Sequence, residues 1–123
     1  MIRTNERGNT MFEKIKDGLI VSCKALENEP LYGGDTMLKM AMAAKEGGAI
    51  GIRTNGPENT QMIKKGTGLP VIGLVKRNYE GYEAYISPTP KEVDEIFGAG
   101  ADILAIDATD HTRPYPLDKL VAY

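Results

Sequence analysis

Four short apolar runs constrain the fold of this chain more than any other feature of its sequence. They cover residues 19–21, 49–52, 71–75 and 103–106, and none of them alternates with polar residues. Strands of a parallel sheet with both faces covered have this pattern, whereas a strand with one face in water alternates apolar and polar residues. The runs therefore predict four buried, parallel strands.

The segments between these runs carry helical signals. They predict helices over residues 12–16, 35–46, 57–66 and 90–98. The signal is clearest in the last of these, where Pro90 suits the first helical position and Thr89 and Glu92 have the spacing of a capping box. The resulting order is βαβαβαβ after a short N-terminal segment.

Alternating strands and helices with right-handed crossovers predict an α/β fold. One βα unit spans about 30 residues, which is close to the repeat of a TIM (β/α)8 barrel of about 250 residues. With 123 residues, the chain corresponds to half of such a barrel. A doubly wound open sheet of the flavodoxin type has a similar length, and periodicity does not separate the two.

Two segments are assigned on this basis. Residues 11–123 are expected to form a partial TIM-barrel domain of about four βα units. Residues 1–10 are expected to form an N-terminal tail, for which disorder is one expectation.

The composition is that of a soluble globular protein, with 41% hydrophobic and 26% charged residues. A net charge of −2 gives no general attraction to nucleic acid or to anionic membranes, and no apolar run approaches the roughly 20 residues that span a bilayer. The single Cys23 cannot form an internal disulfide, and the first residues lack a secretory signal. We therefore expect a cytoplasmic protein with neither a nucleic-acid nor a membrane partner.

Charged side chains follow the apolar runs where the predicted strands end. They are Lys24, Arg53, Lys76 with Arg77, and Asp107. Because the carboxyl ends of parallel strands face the functional site, three cationic positions on one rim favour a small anionic ligand. Each residue taken singly also fits a structural role, since strand ends meet water.

Lys76 is unusual because it directly follows the apolar run 71–75. Apolar surroundings and the neighbouring cations Arg53 and Arg77 favour an uncharged amine, which is the form of lysine that acts as a base. The sequence therefore predicts a catalytic role for Lys76.

No motif for a metal or an organic cofactor is present, so none is expected. His111 has no second His and no neighbouring Cys with which to build a metal site. The glycines of residues 98–101 precede a predicted strand, whereas the dinucleotide-binding fingerprint lies between a strand and a helix.

Four motifs point to a known family: VSCKAL at 21–26, GIRTNG at 51–56, GLVKRNY at 73–79 and ISPTPKEVDE at 86–95. With GADILAIDAT and the later Arg-Pro pair, the sequence from residue 11 onward resembles the bacterial N-acetylmannosamine-6-phosphate 2-epimerases. The resemblance implies the first half of a TIM barrel. It also implies a cofactor-free inversion at carbon 2 of a phosphorylated N-acetyl amino sugar, in sialic acid degradation.

The resemblance also implies roles for the residues at the strand ends. Lys76 would be the catalytic lysine that moves the proton, and Arg53 would contact the substrate. Lys24 stands where the family usually has glutamine in contact with the substrate, so this contact differs here. Asp107 lies in a family-like motif and is expected to bind a sugar hydroxyl.

The length leads to a further expectation. In the family, the acidic partner of the lysine and the phosphate-binding loops come from the second half of the barrel. A half barrel leaves two strand edges and the inner sheet face uncovered. We therefore expect a fragment, a truncated reading frame or half of an oligomer, such as a homo-oligomer. The alternative function is a catalytically incomplete half barrel that binds an anionic sugar or assembles through its open edges.

Overall fold

A computed structural model describes residues 2–4 and 8–123 of the chain, and only the backbone of residues 2–4 and 8–10. In these residues the strands are β1 (Ile2–Thr4), β2 (Ile20–Ser22), β3 (Gly51–Asn55), β4 (Val71–Leu74) and β5 (Ile103–Ala105). The helices are α1 (Gly8–Lys14), α2 (Thr36–Glu46), α3 (Pro57–Thr67), α4 (Pro90–Gly98) and α5 (Leu117–Ala122). All four predicted strands and the three longer predicted helices are present, with boundaries shifted by at most three residues.

The strands form one sheet in the order β1-β5-β4-β3-β2. Strands β2 to β5 are parallel, with Ile20 opposite Gly51, Ile52 opposite Val71, and Ile72 opposite Ile103. Each of these strands therefore lies beside its neighbour in the chain. A doubly wound sheet requires a point where the strand order reverses, and the order from β2 to β5 has none. The topology favours the barrel-type arrangement.

Regular structure extends into the segment predicted to be a tail. Strand β1 pairs antiparallel with β5, with Ile2 opposite Ala105. Helix α1 begins at Gly8 and ends at Lys14, whereas the sequence predicts a helix over residues 12–16. The boundary predicted at residue 10 therefore falls inside a helix, while residues 1 and 5–7 of the predicted tail lie outside the described part of the chain.

Strands β4 and β5 bury residues on both faces, whereas β2 is only partly buried and its Ser22 is exposed, so the prediction of four buried strands is wrong for β2. On the first face, Ile52 and Val71 pack with Met37 and Ala41 of α2 and with Ile63 of α3. The same face continues with Leu104 and Ile106, which pack against Val93 and Ile96 of α4 and against Leu120 of α5. We call this the helix face.

The opposite side of the sheet is the inner face, which would line the interior of a barrel. Ile72 and Ile103 lie on this face and pack with Met11 of α1. Ile15, Ile20 and Ala105 complete the cluster. Because successive strand residues point to opposite faces, these positions fix the direction of every side chain further along each strand.

Gly73 lies on the helix face where α4 comes close to β4. A Cβ atom at this position would lie 2.7 Å from Cγ2 of Ile96 and 3.1 Å from Cβ of Ala101. Real Cβ atoms do not approach a neighbouring atom as closely as the first of these distances. Glycine therefore allows the close contact between this strand and the helix layer.

Candidate active site

Alternation along the strands places all four predicted site residues on the inner face. In β2 and its continuation, Val21, Cys23 and Ala25 pack on the helix face, so Lys24 points the other way. Ile52 and Thr54 are fully buried on either side of Arg53. Val75, which belongs to the same hydrophobic cluster as Val93 and Ile96 of α4, precedes Lys76. Asp107 follows Ile106, which also packs on the helix face. The carboxyl ends of β2 to β5 thus contribute one inward-facing charged residue each.

Lys24, Arg53 and Lys76 form a cationic cluster. The side chain of Lys24 lies close enough to Lys76 and Arg53 for their positive charges to act on it. Among the described side chains, no carboxylate forms an ion pair with any of the three, whereas ion pairs engage other cations of the same region. An anion bound here would meet charges that the protein has not neutralised.

The cluster changes the acidity of Lys24. Partial burial disfavours the charged ammonium and lowers the pKa of Lys24, and the charges of Lys76 and Arg53 lower it further. Glu29 acts in the opposite direction without reversing the shift. Lys24 therefore releases its proton more readily than an isolated lysine, first because of burial and then because like charges are crowded around it.

A cavity of about 620 Å³ opens between the loop that follows β2 and the amino end of α3. This volume lies within the range of small-molecule sites, roughly 300 to 1,000 Å³. Lys76 forms part of its wall, together with Asn55, Tyr32 and Met62. Lys24, Arg53 and Asp107 are outside the wall, so this cavity and the cationic cluster share only Lys76.

Asn55 is a site residue that the sequence analysis missed. Its side-chain oxygen accepts a hydrogen bond from the backbone N–H of Lys76 at 3.0 Å. Asn55 lies two residues after Arg53 on the same face of β3. Its hydrogen bond links the end of β3 to the segment that follows β4. Period-two spacing from Arg53 would have placed Asn55 at this rim.

Arg77 does not lie beside Lys76 as the sequence analysis expected. Its guanidinium group binds Glu92 at 3.1 Å and both carboxylate oxygens of Glu95 at 3.3 and 3.2 Å. The neighbouring cation that was expected to act on Lys76 is therefore neutralised by α4. Adjacent strand residues point to opposite faces, and this explains the separation.

The capping box predicted for α4 is also not formed. Thr89 makes no side-chain hydrogen bond to the helix backbone. Its hydroxyl donates instead to the side chain of Glu92 at 2.9 Å. The glutamate carboxylate is thereby directed toward Arg77 and away from the backbone at the helix start.

The side chain of Asp107 forms hydrogen bonds within its own loop. Its carboxylate accepts hydrogen bonds from the backbone N–H of Thr109 at 2.7 Å and from Nδ1 of His111 at 3.2 Å, and Arg113 lies 3.7 Å away. Burial alone would raise the pKa of Asp107, but the hydrogen bonds from Thr109 and His111 outweigh it and hold the pKa below its ordinary value. A direct contact with a sugar hydroxyl stays a prediction.

Within residues 8–123 and 2–4, no helix is long and apolar enough to cross a bilayer. The same part of the chain contains no group of three or more His, Cys, Asp or Glu residues arranged to hold a metal ion.

The parallel βα repeats and the residues at the strand ends define a class: an α/β barrel-type protein with a cluster of cationic side chains at the carboxyl ends of its strands. The comparisons with known proteins then identify the family. The family described as "Putative N-acetylmannosamine-6-phosphate epimerase" matches residues 37–123. The chain belongs to this family.

Individual relatives agree with the family match. A Clostridioides difficile protein named as a putative N-acetylmannosamine-6-phosphate 2-epimerase is 55% identical over 115 residues, which are 92% of this chain and 52% of the relative. A protein of the same name from Borreliella afzelii is 57% identical over 104 residues, 85% of this chain and 45% of the relative. The chain spans about half the length of the curated relatives it matches.

A solved structure confirms the predicted fold. The N-acetylmannosamine-6-phosphate 2-epimerase from Clostridium perfringens superposes with a TM-score of 0.88 at 46% identity. The match covers 91% of this chain and 50% of the other. The parallel βα repeats are therefore those of about half a TIM barrel.

Proposed function

We propose that this chain carries the proton-transfer lysine of an N-acetylmannosamine-6-phosphate 2-epimerase. The reaction interconverts N-acetylmannosamine 6-phosphate and N-acetylglucosamine 6-phosphate by inversion at carbon 2. The family match and the names of the relatives support this proposal. The location that goes with it is the cytoplasm, because sugar phosphates are charged and cross bilayers poorly.

The chemistry needs a base beside carbon 2 of the open-chain sugar. Carbon 2 is adjacent to the aldehyde, so removal of its proton gives an enolate whose negative charge moves to the aldehyde oxygen. The Lys76 amine takes this proton and the electron pair of the C–H bond enters the enolate. Transfer of a proton from water to the other face of carbon 2 gives the epimer, and the Lys76 ammonium returns its proton to the solvent.

The cationic cluster is the observation that carries the proposal. Arg53 and Lys24 supply positive charge on the same rim as Lys76, where a negatively charged substrate and a developing oxyanion both gain from it. We assign substrate contact to Arg53 and Lys24. Asp107, whose carboxylate is bound by its own loop, acts on the sugar through the position of that loop.

Deuterium exchange at carbon 2 tests the proposal without requiring net conversion. The full chain is incubated with N-acetylglucosamine 6-phosphate in D2O, and the proton signal of carbon 2 is followed by NMR. We expect the signal to disappear with the parent chain. The variant Lys76→Met should slow exchange by about 10²- to 10⁴-fold, the range for a positioned acid–base group.

The matched control for this experiment is Lys91→Met, which removes an exposed lysine of α4. It should exchange carbon 2 at the parent rate. Exchange that persists in Lys76→Met would overturn the assignment of the base. No exchange with the parent chain would contradict the epimerase proposal for this chain.

A second candidate function is binding of an anionic sugar without turnover. Its support is that, among the described side chains, no carboxylate pairs with Lys76 to act as a second proton carrier. Titration with the same sugar phosphate separates the two functions. Saturable binding that is weakened by Arg53→Met, without deuterium at carbon 2, favours the binding module. The oligomeric state stays a prediction, which sedimentation during this titration measures.

A further inference from the structure

We propose that Glu92 is a positioning residue that fixes the direction of Lys76. The proposal rests on the proposed function, because it assigns Glu92 a role in the action of that lysine. Glu92 lies on the helix-face side of the loop and does not reach the inner face. Its effect on Lys76 passes through the backbone of the segment that follows β4.

One carboxylate oxygen of Glu92, Oε2, accepts three hydrogen bonds. Arg77 donates to it at 3.1 Å and the Tyr79 hydroxyl at 3.1 Å. The Thr89 hydroxyl donates to the same atom at 2.9 Å. Two of these donors come from the chain just after Lys76, and the third comes from the residue before α4. A single oxygen thus ties together both ends of the loop that carries the lysine.

The burial of Glu92 makes these hydrogen bonds difficult to break. The Glu92 side chain is fully buried, and its second oxygen, Oε1, has no hydrogen-bond partner among the described residues. A buried carboxylate is tolerated only where charged or polar partners compensate for lost water. Glu92 consequently depends on Arg77, Tyr79 and Thr89, and the loss of Arg77 would leave a buried carboxylate without its ion-pair partner.

The neighbouring backbone transmits the constraint to Lys76. On one side of Lys76, its own N–H is held by Asn55 at 3.0 Å. On the other side, the Arg77 N–H donates to the carbonyl of Tyr85 at 2.8 Å, and Lys76 itself forms a bridge with Ile86. With Arg77 fixed on the helix face, the alternation of side chains leaves Lys76 only the inner face.

The test compares Glu92→Gln with Asp102→Asn in the full chain. Both changes replace a carboxylate by the matching amide and weaken an ion pair. Asp102 pairs with Lys64 at 2.8 Å and accepts the N–H of Val71 at 2.9 Å, so it lies at the opposite end of β4. It is a control for loss of a partly buried ion pair that does not touch the loop around Lys76.

The first readout is spectroscopic and needs no turnover. Lysines are methylated with ¹³C-formaldehyde, and the Lys76 signal is assigned by its absence in Lys76→Arg. We expect a Lys76 signal resolved from those of exposed lysines in the parent chain and in Asp102→Asn. In Glu92→Gln it should move to the position of the exposed lysines while circular dichroism stays unchanged.

The second readout is the rate of deuterium exchange at carbon 2. Glu92→Gln should lower kcat about 10-fold or more with KM within a factor of about two, since a misdirected base affects chemistry more than binding. If Glu92→Gln does not fold, Tyr79→Phe removes one donor from the same oxygen and should give a smaller movement of the Lys76 signal.

The two readouts separate this proposal from the proposed function. Absence of exchange in the parent chain contradicts the function, yet the Lys76 signal still decides whether Glu92 directs the side chain. An unchanged Lys76 signal in folded Glu92→Gln, or an equal shift in Asp102→Asn, would overturn the positioning role.

Discussion

The backbone N–H of Lys76 donates a hydrogen bond to the side-chain oxygen of Asn55 at 3.0 Å. This bond joins the second residue after β4 to the last residue of β3, and so links the predicted base to the neighbouring strand. Asn55 also lines the same cavity as Lys76. The position of the lysine backbone therefore depends on a neutral side chain as well as on the sheet.

Replacing Asn55 by Leu tests this link. The Lys76 N–H would lose its acceptor in a partly buried place, which costs about 1 to 3 kcal/mol in the free energy of unfolding. We also expect slower carbon 2 exchange, because the backbone of Lys76 is released on one side. Urea unfolding and deuterium exchange measure the two effects. Asn78→Leu, at an exposed position of the same loop, should change neither, and an equal loss in both variants would contradict the assignment.

Lys24→Gln should stabilise the chain at neutral pH. The folded-state pKa of Lys24 lies below the ordinary 10.5, so the unfolded chain binds more protons between the two values and stability rises with pH across that alkaline window. Glutamine carries no charge and lacks this dependence. The stability advantage of Lys24→Gln over the parent should therefore shrink as the pH rises toward 10.5.

Urea unfolding of the parent and Lys24→Gln at pH values from neutral to alkaline provides the measurement. Lys91→Gln, an exposed position of α4, serves as the matched control. A stability difference between Lys24→Gln and the parent that does not vary with pH would show that burial and the neighbouring charges do not lower the pKa of Lys24.

Asp107→Asn should destabilise the chain by about 1.5 to 3 kcal/mol at pH 7, the scale for hydrogen bonds to a charged group. The pKa of Asp107 is held below its ordinary 3.8, so its stabilising contribution is present above that value and is lost as the pH falls through the lowered pKa. Thermal unfolding at several acidic pH values should show the difference from the parent decreasing. Asp110→Asn, in the exposed part of the same loop, should have little effect at any pH.

Gly73→Ala and Gly98→Ala form a matched pair, because Gly73 lies where β4 meets α4 and Gly98 lies at the exposed end of that helix. At Gly73 the added methyl group would meet Ile96 at 2.7 Å, and we expect a loss of about 1 to 3 kcal/mol for overpacking. At Gly98, the last residue of α4, a Cβ atom has no neighbour within 4 Å, so alanine should be neutral or stabilise the helix. Equal effects in urea unfolding would contradict the close approach at Gly73.

The buried strands and the inward direction of Lys76 were open to prediction because they follow from local pattern. The apolar run 71–75 identifies β4, and the first polar residue after such a run in a parallel sheet lies at the functional rim. The separation of Arg77 from Lys76 was also predictable, since period-two alternation alone sends adjacent residues to opposite faces. Proximity in the chain predicted both cations on the rim, whereas alternation predicts only Lys76 there.

Other features depend on distant partners and leave no local signal. The carboxylate of Glu92 is bound by Arg77 and Tyr79, which lie 15 and 13 positions earlier in the sequence. Its spacing from Thr89 is that of an ordinary capping box, so the pattern predicted the wrong bonds. Strand β1 has the sequence Ile-Arg-Thr, with no apolar run to mark it, and its pairing is set by the free edge of β5.

Because β1 pairs with β5, the edge of β5 that faces away from β4 is already occupied. Strand β1 runs opposite to every other strand and takes up hydrogen-bonding groups of β5 from Ile103 to Ala105. A further parallel strand could pair with this edge of β5 only after β1 had dissociated from it. Strand β1 and an incoming parallel strand therefore cannot pair with the same edge of β5 at the same time.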